Sequence, residues 1–405
     1  MVGRGPWGTM GKMEAEAESF VMPLRQYVSA EFLRWRGRGD PLEREGGPRS
    51  YQFSRARHAI YHGLAALGVG AGDRVLAPAY LCVAAVEAVT VLGATVDFHD
   101  VRDDCSVDVA VVEGKIQPNT RALICVHYFG FPQRVEALRE LCDRRGLLLL
   151  EDCAHVLPRV AAGGPQLGRL GDVAVFSWPK LLPVEDGATL VVNRGAPAIA
   201  VRWEREELPE TLQTLKDMWD RTMAWTDWSV AKGAYGWLQR SKAVLRQGRL
   251  GVVARARDEE DGPWFDLKLA NWPMSRASRW ILAHTDLEAI RRRRRQHYEL
   301  LGERIQGIRG VTSVFPRLEE GVCPWVYPLR FEGRPKAHLE LRAMGIPAIA
   351  WDGVRPAGIF PDEFPRADFL YDNLVMLPVH QSLRRRDLEL IAESVERVAA
   401  AGQVG

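Results

Sequence analysis

Apolar runs alternate with segments of helical periodicity from about residue 51 onward. Strand-length apolar runs fall at residues 74–80, 95–101, 121–130, 147–153, 172–178 and 189–193. Helical patterns fall at residues 56–67, 83–92 and 135–146. Continuous apolar strands separated by helices are typical of a mainly parallel sheet covered on both faces. The pattern therefore predicts one large α/β domain.

The pattern differs on either side of these strands. Residues 1–50 are rich in Gly, Arg and Glu and are predicted to form a loose arm with one helix around Val21 to Trp35. Residues 194–270 combine charged helical segments with many tryptophans, which indicates an inserted segment. It is interpreted as a packed helical subdomain, and the alternatives are an oligomer interface or a hydrophobic substrate wall. Residues 271–405 are predicted to form a smaller α+β domain. Its predicted elements are one long helix through residues 287–305, short strands at 326–331, 347–351 and 373–378, and a closing helix at 386–400.

Composition adds few constraints. The chain has 405 residues, 47% hydrophobic and 26% charged, as an ordinary globular protein does. A net charge of only +2 gives no overall indication of a nucleic-acid or membrane partner. The arginine run at residues 291–295 points all round a helix, so it is interpreted as a solvated face with one or two interface contacts. No apolar run reaches the ~18 residues of a membrane span, and no signal peptide is evident. A cytoplasmic location is predicted.

The six cysteines have no spacing typical of a zinc site and are interpreted as buried small hydrophobic residues. A metal held by Cys142, Cys153 and His155 is the alternative, but no metal is predicted.

The glycines at positions 68, 70 and 72 resemble a dinucleotide-binding fingerprint. A true fingerprint follows a strand and opens a helix, whereas these glycines follow a helix and precede a strand. They are predicted to form a helix C-cap and turn.

Three polar residues, Asp152, Ser177 and Lys180, lie at or just beyond the carboxyl ends of predicted strands, where ligands bind in such sheets. A desolvated lysine loses proton affinity and becomes a nucleophile that forms a Schiff base with a carbonyl. Pyridoxal phosphate supplies such a carbonyl and needs a partner for its ring nitrogen and a site for its phosphate. Asp152 is a candidate for the ring nitrogen, and its alternative role is to cap a turn.

The helix that begins near Ala56 is a candidate for the phosphate. Backbone N–H groups at a helix N-terminus favour an anion. Ser54 is predicted to be its N-cap, ahead of Ala56 and Arg57, and Ser177 is a candidate to add a hydroxyl from the lysine loop.

Several segments resemble, in order and near spacing, the DegT/StrS family of sugar aminotransferases, a branch of the fold type I pyridoxal phosphate enzymes. They read ALGVGAGDRVLAPAY, ALICVHYFGFP, LLLLEDCAHVL, LGRLGDVAVFSWPKLLPVEDGATLVVN, NWPMSRA and NLVMLPVHQSL. The resemblance covers residues 51–193 well and 271–400 more loosely. It implies a fold type I transferase with a large, mainly parallel-sheet α/β/α domain at 51–270 and a smaller α+β domain at 271–405.

The resemblance also implies roles for individual residues. Lys180 would carry the cofactor as an internal aldimine and move the proton, and Asp152 would pair with the pyridine nitrogen. His155 would lie near the cofactor ring and its phenolate oxygen; without the resemblance it reads as a core histidine. Asn271 would reach the phosphate of a neighbouring subunit, so a homodimer with shared active sites is expected.

The cofactor positions also contain departures from the family. Ala56 and Arg57 stand where the family has Gly and Thr at the phosphate, beside Ser177. Cys82 stands where many members stack an aromatic ring on the cofactor. Ala188 replaces a glycine, and Pro273 replaces the arginine after Asn271.

The resemblance implies an aminotransferase that moves an amino group from a donor such as glutamate to a keto acceptor, a nucleotide-linked keto sugar. Two alternatives stay open. One is an eliminase or dehydratase that uses the same cofactor, against which the retained Lys180 argues. The other is a non-catalytic cofactor-binding regulatory protein, which the replacements at Ala56, Ala188 and Pro273 suggest.

Overall fold

The computed structural model describes residues 20–23, 25–34, 41–42, 49–158, 167–194, 199–204, 208–225 and 264–401. Two sheets organise these residues, one of seven strands and one of three. The division of the chain into domains at residues 50 and 270 stays a prediction.

The seven-stranded sheet is mainly parallel, as predicted. Its strands are β1 (Arg49–Phe53), β2 (Arg74–Pro78), β3 (Thr95–His99), β4 (Thr120–Val126), β5 (Leu148–Cys153), β6 (Val173–Ser177) and β7 (Ala188–Val192). In the order β3-β2-β4-β5-β6-β7-β1, the strands from β3 to β6 pair in parallel. β7 and β1 each add an antiparallel pairing at one edge. Six of these strands were predicted from the sequence, and β1 was not.

Helices cover this sheet. They are α1 (Ala56–Ala66), α2 (Val83–Thr90), α3 (Val109–Gly114) and α4 (Val135–Arg145). α1 packs against β6 and β7, and α4 against β4 and β5, so the central strands are buried on both faces. Gly68 has a left-handed φ of +78° just after α1, which confirms the predicted turn in place of a fingerprint.

The three-stranded sheet is antiparallel and consists of β8 (Val311–Ser313), β9 (Val326–Phe331) and β10 (Leu374–Pro378). The other described helices are α5 (Leu208–Trp225), α6 (Arg276–His284), α7 (Leu287–Ile305), α8 (Ala337–Ala343), α9 (Pro365–Asn373) and α10 (Arg385–Ala401). The predicted strand at residues 347–351 is wrong, because Ile349 makes only an isolated bridge to Met376.

The long helix is separated from α6 by a break. The break falls where the Asp286 side chain accepts hydrogen bonds from the backbone N–H groups of Glu288 and Ala289, both at 3.1 Å, and so caps α7. Within α7 the arginine run is not a uniformly solvated face. Arg294 is fully buried while Arg292 is exposed.

The predicted helix around Val21 to Trp35 is wrong over the described residues, where a short 3-10 helix at Ala30–Phe32 stands instead. Contacts with distant segments hold this stretch extended: the buried His380 side chain lies 3.0 Å from the Pro23 carbonyl oxygen. In the predicted insertion, α5 is described, and residues 226–263 lie outside the described residues. None of the described helices has the length and apolar character needed to cross a bilayer.

Candidate active site

Lys180 lies at the carboxyl end of β6, in the sharp 3-10 turn Trp178–Lys180. Pro179 restricts the backbone of this turn. The buried Trp178 indole points away into the core, where its Nε1–H donates to the Thr189 hydroxyl at 2.9 Å. The position of the lysine beyond a strand end is therefore as predicted.

The Lys180 amine is enclosed by side chains from three segments. Its Nζ atom lies 2.6 Å from Nε2 of His155 and 4.6 Å from the centre of the Trp325 indole. Burial lowers the pKa of the amine, and nearby Cys82 and Asp152 only partly oppose this shift. The amine therefore tends toward its neutral, nucleophilic form.

The hydrogen bonds of His155 agree with a neutral lysine. The backbone N–H of Phe129 donates to Nδ1 of His155 at 3.3 Å. A neutral imidazole whose Nδ1 accepts must carry its proton on Nε2, the atom that faces Lys180. Burial lowers the pKa of His155 well below its usual value. An Nε2–H donor beside the amine requires the lone pair of an uncharged lysine.

Asp152, at the end of β5, is the buried carboxyl of the site. The backbone N–H of Ala154 donates to its Oδ1 atom at 3.0 Å. Burial raises the pKa of Asp152, while the charge of Lys180 acts in the opposite direction. A cation placed beside this carboxyl would favour its ionised form.

The beginning of α1 differs from the predicted cap. Arg55, and not Ser54, occupies the N-cap position, and its side chain makes no capping hydrogen bond. The Ser54 hydroxyl instead lies 3.2 Å from Nδ1 of His58, one turn into the helix. The prediction of Ser54 as N-cap is wrong, because a partner within the helix has captured its hydroxyl.

Positive charge surrounds this helix end. Arg55 donates to the Glu185 carbonyl at 2.9 Å, and Arg57 donates to the Trp264 carbonyl. Burial, then the charges of Arg57 and Arg55, lower the pKa of His58 to about 3. The helix N-terminus therefore carries two guanidinium groups and an uncharged imidazole.

The remaining predicted residues lie on different elements of the fold. Cys82 precedes α2, and the charge of Lys180 counts among the causes that act on its pKa, which burial raises. Ser177 is the last residue of β6, immediately before the lysine turn. Asn271 contacts its own chain, through a side-chain hydrogen bond to His62 and a backbone bond from Glu204 at 3.1 Å. Its predicted contact with a neighbouring subunit stays a prediction.

The aromatic surroundings of His155 were not predicted from the sequence. The Trp325 ring stacks on the imidazole at 4.3 Å, and Phe129 lies nearly parallel to the imidazole at 6.0 Å. Trp351 contacts the same ring at 5.5 Å. No local pattern indicates these contacts, because they join parts of the chain that are far apart in sequence.

The alternative metal grouping does not assemble. Among the described residues, the three ligand types whose atoms come within 4.8 Å belong to His127, Glu151 and Cys153, and Cys142 is not among them. Glu151 is already engaged: it lies 3.1 Å from His127 and accepts three backbone N–H groups from the loop before β6. This cluster is a hydrogen-bonded support for that loop. Five of the six cysteines are buried, as predicted.

Residues 50–202 match the DegT/DnrJ/EryC1/StrS aminotransferase family. The match contains β2 through β7 and all of β1 except Arg49, and it includes Asp152, His155 and Lys180. It confirms the resemblance predicted from the sequence.

Curated relatives align with part of the chain. GDP-perosamine synthase of Vibrio cholerae is 35% identical over 138 residues, which cover 33% of this chain and 37% of that protein. UDP-N-acetyl-3-dehydro-alpha-D-glucosamine 3-aminotransferase of Acidithiobacillus ferrooxidans is 36% identical over 121 residues, which cover 30% and 32%. The chain therefore spans about a third of the length of these relatives.

Solved structures share the fold over nearly the whole chain. The aminotransferase TlmJ of Streptoalloteichus hindustanus superposes with a TM-score of 0.60 and 22% identity, over 98% of this chain and 92% of that one. A putative sugar aminotransferase of Streptococcus pneumoniae, in its apo form, superposes with a TM-score of 0.63 and 18% identity, over 96% of both chains. The predicted fold, with a large mainly parallel sheet and a smaller sheet after it, is confirmed.

Proposed function

We propose that this protein is a pyridoxal phosphate-dependent aminotransferase that moves an amino group from glutamate to a nucleotide-linked keto sugar. One observation carries the proposal: the Lys180 amine faces a neutral His155 at 2.6 Å, next to the buried carboxyl of Asp152. The names of the curated relatives, which act on nucleotide sugars, support this class of acceptor.

The residues present fit pyridoxal phosphate. Lys180 would hold its aldehyde carbon and Asp152 its ring nitrogen. The N-terminus of α1 at Ala56 has no side-chain cap, and Arg57 and Ser177 would complete the phosphate site. When bound, the cofactor supplies an electron sink for the negative charge that develops on the substrate carbon.

The chain's own groups would then manage the protons. The lowered pKa of Lys180 lets its free amine take a proton from the substrate carbon as a general base and return it as an acid. Asp152 would stabilise a protonated ring nitrogen by its charge. His155, through Nε2, would orient the amine, and the small side chain of Cys82 would leave one face of the site open.

We also propose that two copies form a homodimer in which Asn271 completes the phosphate site of the neighbouring subunit. The homodimer would have the twofold symmetry of most soluble oligomers. We further propose that the protein is cytoplasmic and that its domains divide after residues 50 and 270.

The test is spectroscopic. Purified protein with added pyridoxal phosphate is expected to show a visible absorbance band that borohydride bleaches, and peptide mass spectrometry should find the reduced adduct on Lys180. Glutamate should change the spectrum rapidly. Lys180→Ala should lose the band, whereas Lys115→Ala, which removes a partly exposed lysine paired with Glu363, should keep it. An adduct on Lys115, or a spectrum that no amino acid alters, would refute the proposal.

A further inference from the structure

The turn that carries Lys180 is held from outside by side chains of distant segments. Gln26, in the N-terminal segment, is buried, and its Nε2 atom donates to the carbonyls of Pro179 at 2.8 Å and Leu182 at 2.6 Å. These carbonyls lie on either side of Lys180. The amide therefore fixes the backbone just before and just after the lysine.

Arg294 holds the same turn from the other side and reaches a second wall of the site. From the middle of α7, its Nη2 donates to the Leu181 carbonyl at 3.3 Å. Its Nη1 donates to the carbonyl of Trp325 at 2.9 Å and to that of Pro324 at 3.3 Å. One guanidinium thus connects the residue after Lys180 with the tryptophan whose ring faces the lysine amine.

Gln381 closes this arrangement. Its Oε1 atom accepts from Nε of Arg294 at 2.9 Å, and its Nε2 atom donates to the Leu181 carbonyl at 3.1 Å. The guanidinium, the amide and the carbonyl of Leu181 therefore form a closed ring of hydrogen bonds. We call Gln26, Arg294 and Gln381 the lysine clamp.

The position of Arg294 is costly for a purely structural residue. Its side chain is fully buried, and among the described residues no carboxylate lies within ion-pair distance of it. Burial lowers the pKa of the guanidinium to about 10. The cost of burying this guanidinium is offset by its hydrogen bonds to backbone carbonyls and to Gln381. Removal of the side chain would leave these acceptors unpaired, so its hydrogen bonds fix the position of the backbone groups that accept them.

We propose that Arg294 is a positioning residue that sets the Lys180 turn and Trp325 in fixed register, so that the amine stays against His155. Three contacts support this role. The centre of the Trp325 ring lies 4.6 Å from Nζ of Lys180 and 4.3 Å from the centre of the His155 imidazole, and Arg294 donates a hydrogen bond to the Trp325 carbonyl. The inference rests on the proposed role of Lys180 as the reactive amine. Loss of Arg294 would let the turn and the indole move apart and admit water to the amine.

The experiment measures the amine itself. The full-length protein in its cofactor-free form is treated with cyanate between pH 6 and 11, and the carbamylation of Lys180 is quantified by peptide mass spectrometry. Arg294→Met and Arg294→Lys are compared with Arg292→Met, a change at an exposed arginine of the same helix. Circular dichroism checks that each variant is folded.

Both Arg294 variants are expected to raise the midpoint of the Lys180 labelling curve by about one pH unit, which slows labelling about tenfold below the midpoints. Arg292→Met should leave the curve unchanged. The lysine variant keeps the charge but not the fork of donors, so a shift in Arg294→Met alone would indicate a direct charge effect and overturn the inference.

Gln381→Leu keeps Arg294 and removes the Gln381 amide, so it tests the inference even if the Arg294 variants do not fold. It is expected to raise the midpoint of the Lys180 labelling curve, as the Arg294 variants do. Unchanged midpoints in folded variants would overturn the inference. Labelling needs neither cofactor nor turnover, so this outcome is distinct from failure of the proposed function, which glutamate and the visible spectrum test separately.

Discussion

Lowering the pH from 7 to 5 is expected to destabilise this protein strongly, because at least four of its histidines are buried in uncharged form. His58, His99, His297 and His380 are each less than one-tenth exposed. Burial is the largest cause of the shift in each ring, and it lowers their pKa values to about 3, 4, 4 and 3. The unfolded chain, in contrast, has ordinary histidines that titrate near 6.5.

The direction follows from proton binding. Between pH 6.5 and the lowered pKa of the folded ring, the unfolded state binds a proton that the folded state does not. The stability that each neutral ring contributes is therefore fully present above pH 6.5. It is lost as the pH falls from 6.5 to the lowered pKa of the folded ring. From pH 7 to 5 each ring costs about 2 kcal/mol, so four cost about 8 kcal/mol, which is comparable with the ~5–15 kcal/mol that holds most proteins folded.

Urea unfolding at pH 7 and pH 5, followed by far-UV circular dichroism, measures this loss. His380→Gln removes one titrating ring and keeps a donor for the Pro23 carbonyl. It should shrink the difference between the two free energies of unfolding by about 2 kcal/mol. The free energy of unfolding of the variant at pH 7 serves as the control, because it shows how much stability the substitution removes through lost packing. Equal stability of the native protein at both pH values would refute the reasoning, as would an unchanged difference in the variant.

Three further predictions concern the site and its frame. Asp152→Asn should lower transamination by about 100-fold or more, because the amide cannot compensate a charged ring nitrogen; single-turnover spectra with glutamate measure this, and full activity would contradict the proposed role. His155→Phe should raise the pKa of Lys180 by up to about one unit, because the neutral amine loses a donor worth about 1 kcal/mol; the cyanate labelling curve reports it, and a lowered midpoint would exclude the assigned tautomer. Gly130→Ala should destabilise the fold by about 3 kcal/mol or more, since its φ is +107° and a Cβ would meet a backbone oxygen at 2.2 Å. Gly68→Ala, with φ +78° and open space, should cost only about 1 kcal/mol in the same urea assay, and equal losses would contradict the steric argument.

The chemistry at the strand ends was predictable because its signals are local. An apolar run that stops at Asp152 or Ser177 marks where a buried strand meets the edge of its sheet. In parallel sheets those edges coincide, so the carboxyl and Lys180 are brought together by the strand pattern. The turn at Gly68 was equally readable, because it depends on the order of one helix and one strand.

Local patterns failed where distant contacts compete with them. Helical periodicity predicted a helix from Val21, but buried hydrogen-bonding partners such as Gln26, which binds the lysine turn, hold that stretch extended. Ser54 has the chemistry of a cap, yet His58 takes its hydroxyl. Propensities are small energies, and tertiary contacts override them.

The order of neighbouring residues was enough to predict six strands of the large sheet, their ends, and the lysine and carboxyl that lie there. It did not show that His155 faces the amine, that Trp325 stacks on the imidazole, or that Arg294 alone of its run is buried. These features depend on burial and hydrogen bonding between segments that meet only in the folded chain. The run of arginines in the sequence does not indicate which of them will face a carbonyl.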